Sequence, residues 1–217
     1  MMPTANATTR LLYVMDPMCS WCWGFAPVIA QLVELAADYG VDTEIRVGGL
    51  RQEHQPLSPD KRRYILQHWQ TVAATTKQPF NFAQGLGPDF IYDTEPACRA
   101  LLAAQQLDQA NNTAQRWSYL KTLQTAFYCQ AQTLTEPVLI QLAQRCDYPS
   151  AEFTELLSSD CLKQQTEQQF AWVRQLPSSG FPSVFISHQQ QLLLLTNGYQ
   201  PAEQLAPQLR AWLMAHA

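Results

Sequence analysis

Strand-like hydrophobic patterns occur only towards the two ends of the chain. Near the start, the apolar run at residues 11–14 stops at Asp16-Pro17 and predicts a short strand. Apolar positions then recur three and four residues apart as far as Gly40, which predicts a helix that begins near Cys19. The alternation over residues 43–47 predicts a second strand. This order and spacing indicate a parallel β-α-β unit with a right-handed crossover.

The middle of the chain shows helix starts and almost no strand pattern. Each start places a capping residue, often followed by proline, before apolar positions at helical spacing. The four predicted starts are Ser58-Pro59, Thr94-Glu95-Pro96, Asn112 or Thr113, and Thr135-Glu136-Pro137. Residues 78–93, which are rich in Gly and Pro, predict a long loop between the first two helices. Residues 52–146 are therefore predicted to be helical.

Strand patterns return in the last part of the chain. Ser150 and Asp160 are predicted to cap two further helices. Residues 183–187 and 192–195 then predict a β-hairpin, and an amphipathic helix follows Pro201. The pattern predicts an α/β domain formed by residues 9–50 and 161–217, interrupted by an inserted all-helical subdomain at 51–160.

Composition and charge narrow the functional classes. The 217 residues are 47% hydrophobic and 15% charged, as in globular proteins, and the net charge is −4. No broad basic field is expected, so neither nucleic acid nor a membrane is a predicted partner. No apolar stretch approaches the roughly 20 residues of a membrane span, and the N-terminus lacks a leader pattern. The sequence therefore predicts a cytoplasmic protein.

Six cysteines provide the candidate chemistry. In a reducing compartment most should be free thiols. The four scattered cysteines are interpreted as small buried helix residues, and the sequence leaves open whether any forms a disulfide: Cys98, Cys129, Cys146 and Cys161. The other two form the motif Cys19-Ser20-Trp21-Cys22 (CSWC) just after the first predicted strand.

The CSWC motif has four possible explanations. A structural zinc site needs four ligands, and no second close pair is present. A c-type haem site would need His where Trp23 stands. A structural disulfide that closes so short a loop would stabilise little. A redox-active dithiol fits better, because the first turn of a helix favours a thiolate at Cys19.

The spacing also assigns different roles to the two thiols. Cys22 lies on the same helical face as Cys19 and should be more buried, so Cys19 is the predicted nucleophile and Cys22 the predicted resolving thiol. The direction of electron flow is not determined by the sequence. Trp21 and Trp23 are interpreted either as an apolar rim for substrate or as packing. Asp16 is interpreted as a turn residue rather than as a group that tunes the thiols.

A second candidate element is Gly180-Phe181-Pro182, at the start of the returning strand. Proline is tolerated at the first residue of any strand. Beside a dithiol, a cis proline is the preferred interpretation, and the backbone of Phe181 would then pair with an extended substrate segment. Trp21, Phe181 and Pro182 are therefore the predicted substrate-binding residues.

Together, Asp16 to Trp23, the helical insertion, Phe181-Pro182 and the final hairpin and helix resemble the DsbA-like branch of the thioredoxin superfamily. Within it, the chain looks like the cytoplasmic FrnE-like predicted protein-disulfide isomerases of bacteria. The resemblance covers nearly the whole chain. It implies a thioredoxin fold with a helical cap, Pro182 in cis, and thiol-disulfide exchange on protein or small disulfides. Ser20-Trp21 differs from the dipeptide, often with His, of secreted members, so the resemblance does not extend to their strong oxidising character.

Two other functions remain as alternatives. Kappa-class glutathione transferases and 2-hydroxychromene-2-carboxylate isomerases share the insertion, but typically keep Ser at the position of Cys19 and lack Cys22. The second alternative is a peptide-binding chaperone with an incidental dithiol. No permanently bound cofactor and no metal are expected. Protein thiols or disulfides are the expected partners, or glutathione, which could serve as the redox partner.

Overall fold

The structure is a computed structural model that describes residues 9–108, 113–178 and 180–216. Residues 1–8, 109–112, 179 and 217 lie outside this part. Asn112, a predicted helix start, is among them. The strands are β1 (Arg10–Met15), β2 (Asp42–Val47), β3 (Gln52–Pro56), β4 (Ile91–Asp93), β5 (Ser183–His188) and β6 (Gln191–Asn197). The helices are α1 (Ser20–Asp38), α2 (Pro59–Thr76), α3 (Glu95–Leu107), α4 (Thr113–Tyr128), α5 (Glu136–Arg145), α6 (Ser150–Ser158), α7 (Asp160–Val173) and α8 (Ala202–His216).

The two ends of the chain meet in one four-stranded sheet with the order β2-β1-β5-β6. β1 is parallel to β2 and antiparallel to β5, and β5 is antiparallel to β6. Tyr13 lies opposite Ile45 on one side and Val184 on the other. The predicted β-α-β unit, the hairpin and the final helix are confirmed.

Alternate residues of β1 contact different layers, as expected for a strand buried on both faces. Tyr13 belongs to the large core that includes residues of α1, α8 and the insertion. Leu12 and Val14 belong to a smaller cluster with Val173 of α7 and Phe185. The sheet therefore lies between α7 and the layer of α1 and α8.

The insertion is rich in helices, as predicted, but it also contains a two-stranded antiparallel sheet of β3 and β4. The sequence analysis did not predict these strands. β3 is almost entirely polar and exposed, so it lacks the alternation by which a strand is recognised. The predicted boundaries of the two domains stay a prediction.

Helix starts are close to their predicted positions. Ser58 caps α2, since its side chain accepts a hydrogen bond from the Lys61 N–H. The caps predicted at Ser150 and Asp160 are each displaced by one residue. α6 begins at Ser150 after Pro149, and α7 begins at Asp160, with Ser159 accepting from the Leu162 N–H. No helix within the described ranges is long and apolar enough to cross a membrane.

Candidate active site

The turn between β1 and α1 fixes the position of the CSWC motif. Cys19 is the N-cap residue of α1, with an extended backbone (φ −85°, ψ 118°). Its N–H donates to the Asp16 carbonyl at 3.0 Å, and its carbonyl accepts the Trp23 N–H at 3.0 Å. The sulfur of Cys19 is therefore at the positive end of the helix dipole, where negative charge is favoured.

Both cysteines are buried, and Cys22 is buried more completely. Cys19 is 5% exposed and Cys22 is 0% exposed. Burial, and then the neighbouring Cys19, raise the pKa of the Cys22 thiol well above its ordinary value. Tyr13 lies beside Cys22, and its own pKa is raised by burial and then by the two thiols. Cys22 is therefore held as a neutral thiol in an apolar setting.

Phe181, the residue before Pro182, lies against Cys19. The Cys19 thiol donates to the Phe181 carbonyl, with 3.7 Å between sulfur and oxygen. The peptide bond between Phe181 and Pro182 is cis. The Pro182 carbonyl accepts the Gly198 N–H at 2.7 Å, which ties this segment to the end of β6. Residues 162 positions apart are thus brought into contact.

The two tryptophans of the motif have different surroundings. Trp21 is half-buried, and its ring lies 5.9 Å from that of His68 and 5.7 Å from that of Tyr199. Trp23 is buried, stacks on Tyr128 and donates from Nε1 to a backbone carbonyl at 3.0 Å. Trp21 is therefore available as part of a substrate rim, and Trp23 is a packing residue.

Asp16 has a larger structural role than the turn predicted from the sequence. Its carboxylate is fully buried. Oδ1 accepts the Met18 N–H at 2.8 Å, while Oδ2 accepts the Leu50 N–H at 2.7 Å and the Thr94 hydroxyl at 2.6 Å. The Cys98 thiol also donates to Oδ2, at 3.4 Å. Asp16 therefore joins the loop before Cys19 to the chain after β2 and to the start of α3.

Burial raises the pKa of the Asp16 carboxyl, and the four hydrogen bonds act in the opposite direction. In the sequence, only the position of Asp16 three residues before Cys19 indicated a role at the site. Thr94, Leu50 and Cys98 were not recognised as its partners, because they are far away in the chain.

Tyr92 supports the same loop from the insertion. Its hydroxyl donates to the Met18 carbonyl at 2.6 Å, and the guanidinium of Arg51 lies 5.1 Å from its ring centroid. Arg51 and Lys61 both pair with Glu53, at 3.6 and 3.5 Å. Burial and then Arg51 lower the pKa of His68, so the imidazole next to Trp21 favours the neutral form.

All six cysteines lie within the described residues, and all are free thiols. Cys98 and Cys146 are buried in accordance with the prediction. Cys129 is half-buried and Cys161 is exposed, which corrects the prediction that all four are buried. Cys161 lies in the first turn of α7 and faces solvent there. Within the described residues, no group of three or more His, Cys, Asp or Glu could hold a metal ion.

The residues predicted for the site lie together: Cys19, Cys22, Trp21, Phe181 and Pro182 come from the start of α1 and the entry to β5. Their roles stay predictions. No curated protein sequence matches the chain.

Solved structures give closer relatives. A protein from Nitrosomonas europaea, provisionally described as a protein disulfide isomerase, is 37% identical, with a TM-score of 0.87 and coverage of 97% of this chain and 100% of its own. The cytosolic disulfide reductase DsbM from Pseudomonas aeruginosa is 25% identical, with a TM-score of 0.73 and coverage of 95% and 98%. A second structure of DsbM contains GSH.

A 2-hydroxychromene-2-carboxylate isomerase is similar in fold alone, at 14% identity and a TM-score of 0.57, over 95% of each chain. The family described as DSBA-like thioredoxin domain matches residues 10–210 of this chain. The fold predicted from the sequence is thereby confirmed. Because this match spans nearly the whole chain and agrees with the Nitrosomonas relative, the protein belongs to the DSBA-like thioredoxin domain family and is an oxidoreductase/isomerase.

Proposed function

We propose that Cys19 and Cys22 form a redox-active pair that exchanges disulfides with protein or small-molecule thiols. One observation carries this proposal. The sulfur of Cys19, at the N-terminus of α1, faces the Phe181 carbonyl, while Cys22 is fully buried one helical turn away. A two-step exchange requires a reactive sulfur beside backbone that can bind the substrate, and a second thiol that is shielded from solvent.

In the reducing direction, the Cys19 thiolate attacks one sulfur of a substrate disulfide. The substrate S–S bond breaks, and the leaving sulfur takes up a proton as the first free thiol. Cys22 then loses its proton and attacks the Cys19 sulfur, which releases the second substrate thiol and leaves a Cys19–Cys22 disulfide. Because burial raises the pKa of Cys22, this second step should accelerate with pH.

The oxidising direction uses the same bonds in reverse. A substrate thiolate attacks Cys19 of the disulfide form, Cys22 leaves and takes a proton, and a second substrate thiol resolves the mixed disulfide. Isomerisation of a protein disulfide needs only the first attack by Cys19. Another thiol of the same substrate then attacks the mixed disulfide, which forms a new substrate disulfide and releases Cys19. The site chemistry is the same in each case.

For substrate binding, we propose an extended segment that lies along Phe181 and Pro182, with an adjacent side chain against Trp21. The half-buried ring of Trp21, backed by His68 and Tyr199, supports this arrangement. Aromatic rings of this kind bind apolar side chains without demanding one sequence. The substrate class is therefore a flexible polypeptide or a small disulfide.

We propose glutathione as the redox partner and no permanently bound cofactor. The GSH in a structure of DsbM supports this, since that protein is a cytosolic disulfide reductase with a similar chain. The same relative supports a cytoplasmic location. Two glutathione molecules would return the Cys19–Cys22 disulfide to the dithiol and would leave as glutathione disulfide.

Substitution of each cysteine tests the proposal. With glutathione as reductant and insulin as substrate, Cys19→Ser should reduce exchange to the uncatalysed rate. Cys22→Ser should keep the first attack and accumulate a mixed disulfide, seen by mass spectrometry. Cys161→Ser, which removes an exposed thiol away from the site, should retain wild-type activity.

Other results would contradict the proposal. Unchanged exchange in Cys19→Ser would refute it. If that variant kept only the ability to prevent aggregation of unfolded proteins, the chaperone alternative would replace it. If the wild type conjugated glutathione to small electrophiles but exchanged no disulfides, the transferase alternative would replace it.

A further inference from the structure

The edge strand β6 exposes apolar side chains outside the candidate site. Leu192, Leu193 and Leu194 are 38%, 50% and 39% exposed. They are consecutive, so they project from both faces of the strand. An exposed apolar edge strand is a template for pairing with another strand, and proteins usually protect such edges with charges or proline.

β6 carries no charge and no proline. Its pairing with β5 shifts register between Leu194 and Thr196, and residues 192–194 pair regularly before that shift. Residues 175–202 contain no Asp, Glu, Lys or Arg, and β6 itself contains no proline. β6 is the last strand in the order β2-β1-β5-β6, so its inner side pairs with β5. Within the part of the chain that the structure describes, no strand pairs with its outer side. Around Leu193, the outer backbone groups can therefore form a new set of hydrogen bonds.

The packing of the sheet explains the exposure on both faces. Leu194 lies opposite Phe185, on the face that packs with α7. However, α7 packs against β2 at the opposite edge of the sheet and leaves Leu192 and Leu194 exposed. On the other face, Leu193 lies opposite Ile186 and remains half exposed.

We propose that β6 pairs with β6 of a second copy of this chain, in antiparallel orientation, to form a continuous eight-stranded sheet. A two-fold axis at Leu193 would place this residue opposite its own copy, and Leu192 opposite Leu194. Each leucine then meets a leucine on the same face, which is the self-complementary pattern that a two-fold interface requires. A two-fold axis brings identical charges together, so an uncharged strand fits this partner best.

This pairing leaves the candidate site open. Asn197, at the other end of β6, lies opposite Ser183 next to Pro182. The three exposed leucines lie opposite residues 185–187, at the end of the hairpin away from Cys19. The proposed interface is thus independent of the proposed redox function.

Sedimentation velocity tests the proposal on the wild-type chain over about a hundredfold range of concentration. Reductant must be present, so that the exposed Cys161 does not cross-link two copies. The sedimentation coefficient should rise from the monomer value towards the dimer value with concentration. The amides of β6 should also exchange hydrogen more slowly in the concentrated sample.

Two variants distinguish β6 from other apolar surfaces. Leu193→Lys puts two positive charges at the two-fold axis and should weaken dimerisation at least about tenfold. Met214→Lys is the matched control, since Met214 is 66% exposed on α8, and it should dimerise like the wild type. Both variants should retain disulfide exchange.

A wild-type chain that stays monomeric throughout the range would overturn the proposal, as would a Leu193→Lys chain that dimerises like the wild type. If the β6 amides became protected only on addition of an extended peptide, the edge would be a client site and the proposal would fail. If Leu193→Lys does not fold, sedimentation and hydrogen exchange of the wild type still decide whether the chain dimerises through β6.

Discussion

Asp16 shows how much one buried side chain can organise in this site. Its two oxygens accept from Met18, Leu50 and Thr94, which belong to three separate parts of the chain. The Met18 contact and the bond from the Cys19 N–H to the Asp16 carbonyl together define the turn that presents the reactive sulfur. Asp16 is therefore a positioning residue for Cys19.

The titration of Asp16 makes a prediction about stability. Burial raises its folded-state pKa, so its contribution to stability is complete below the ordinary carboxyl pKa and is lost as pH rises through the raised pKa. In Asp16→Asn this titration is absent. As pH rises from about 4 towards the raised pKa, the free energy of unfolding of the wild type should fall relative to that of Asp16→Asn, by at most about 1.4 kcal/mol per pH unit.

Urea unfolding at several pH values measures this difference. Thr94→Val keeps the carboxyl but removes one hydrogen bond that lowers its pKa, so the fall in stability of this variant should continue to a higher pH than in the wild type. Asp89→Asn, which removes an exposed carboxyl, should follow the wild type. A constant difference between wild type and Asp16→Asn would show that the carboxyl does not titrate as described.

At the scale of elements, the end of β2 determines how closely β5 can approach the site. Gly48 follows β2 and donates its N–H to the Met15 carbonyl at 2.9 Å. A Cβ at Gly48 would lie 1.9 Å from Cζ of the Phe181 ring. Glycine is thus required here for the close approach of the segment that contacts Cys19.

Gly48→Ala should therefore displace the Phe181 ring. We expect a loss of about 1–3 kcal/mol in the free energy of unfolding, as for other overpacked sites, and slower disulfide exchange. Gly87→Ala is the matched control, because a Cβ there meets nothing within 4 Å, and it should change stability by less than about 0.5 kcal/mol. Equal behaviour of the two variants in unfolding and in exchange would contradict the packing argument.

At the scale of the whole molecule, Arg99 connects the helices of the insertion. Its side chain is 5% exposed and pairs with Glu95 of α3 at 2.7 Å and Glu136 of α5 at 3.0 Å. It also donates to the Leu157 carbonyl of α6. Burial disfavours the charged guanidinium, but the two carboxylates more than offset this and raise its pKa. One guanidinium thus binds groups of α3, α5 and α6.

Replacing this cation should weaken the insertion. Arg99→Met would leave Glu95 without its partner, and we expect a loss of about 3 kcal/mol, measured by urea unfolding. Arg63→Met removes a cation whose ion pair with Asp60 is exposed, and the expected loss is below about 1 kcal/mol. A loss in Arg99→Met as small as that in Arg63→Met would mean that Arg99 does not hold the helices together.

Much of the fold could be predicted because it depends on local pattern. The β1–α1–β2 unit, the final hairpin and α8 follow from periods of two and 3.6 residues. Cys19 could be placed at the start of α1 because the strand and the helix flank it in the sequence. By contrast, β3 has no apolar alternation, and the leucines of residues 192–195 predicted a hairpin strand without indicating that three of them are exposed.

The sequence by itself determined the α/β architecture and the position of the CSWC motif at a helix N-terminus, because both are encoded by neighbouring residues. Only the tertiary structure decided that Asp16 binds Thr94 and Leu50, that the Phe181 ring lies against Gly48, and that β6 is the edge strand of the sheet. These contacts join residues far apart in the chain. They depend on how the sheet and insertion pack, and no periodicity within one segment records that.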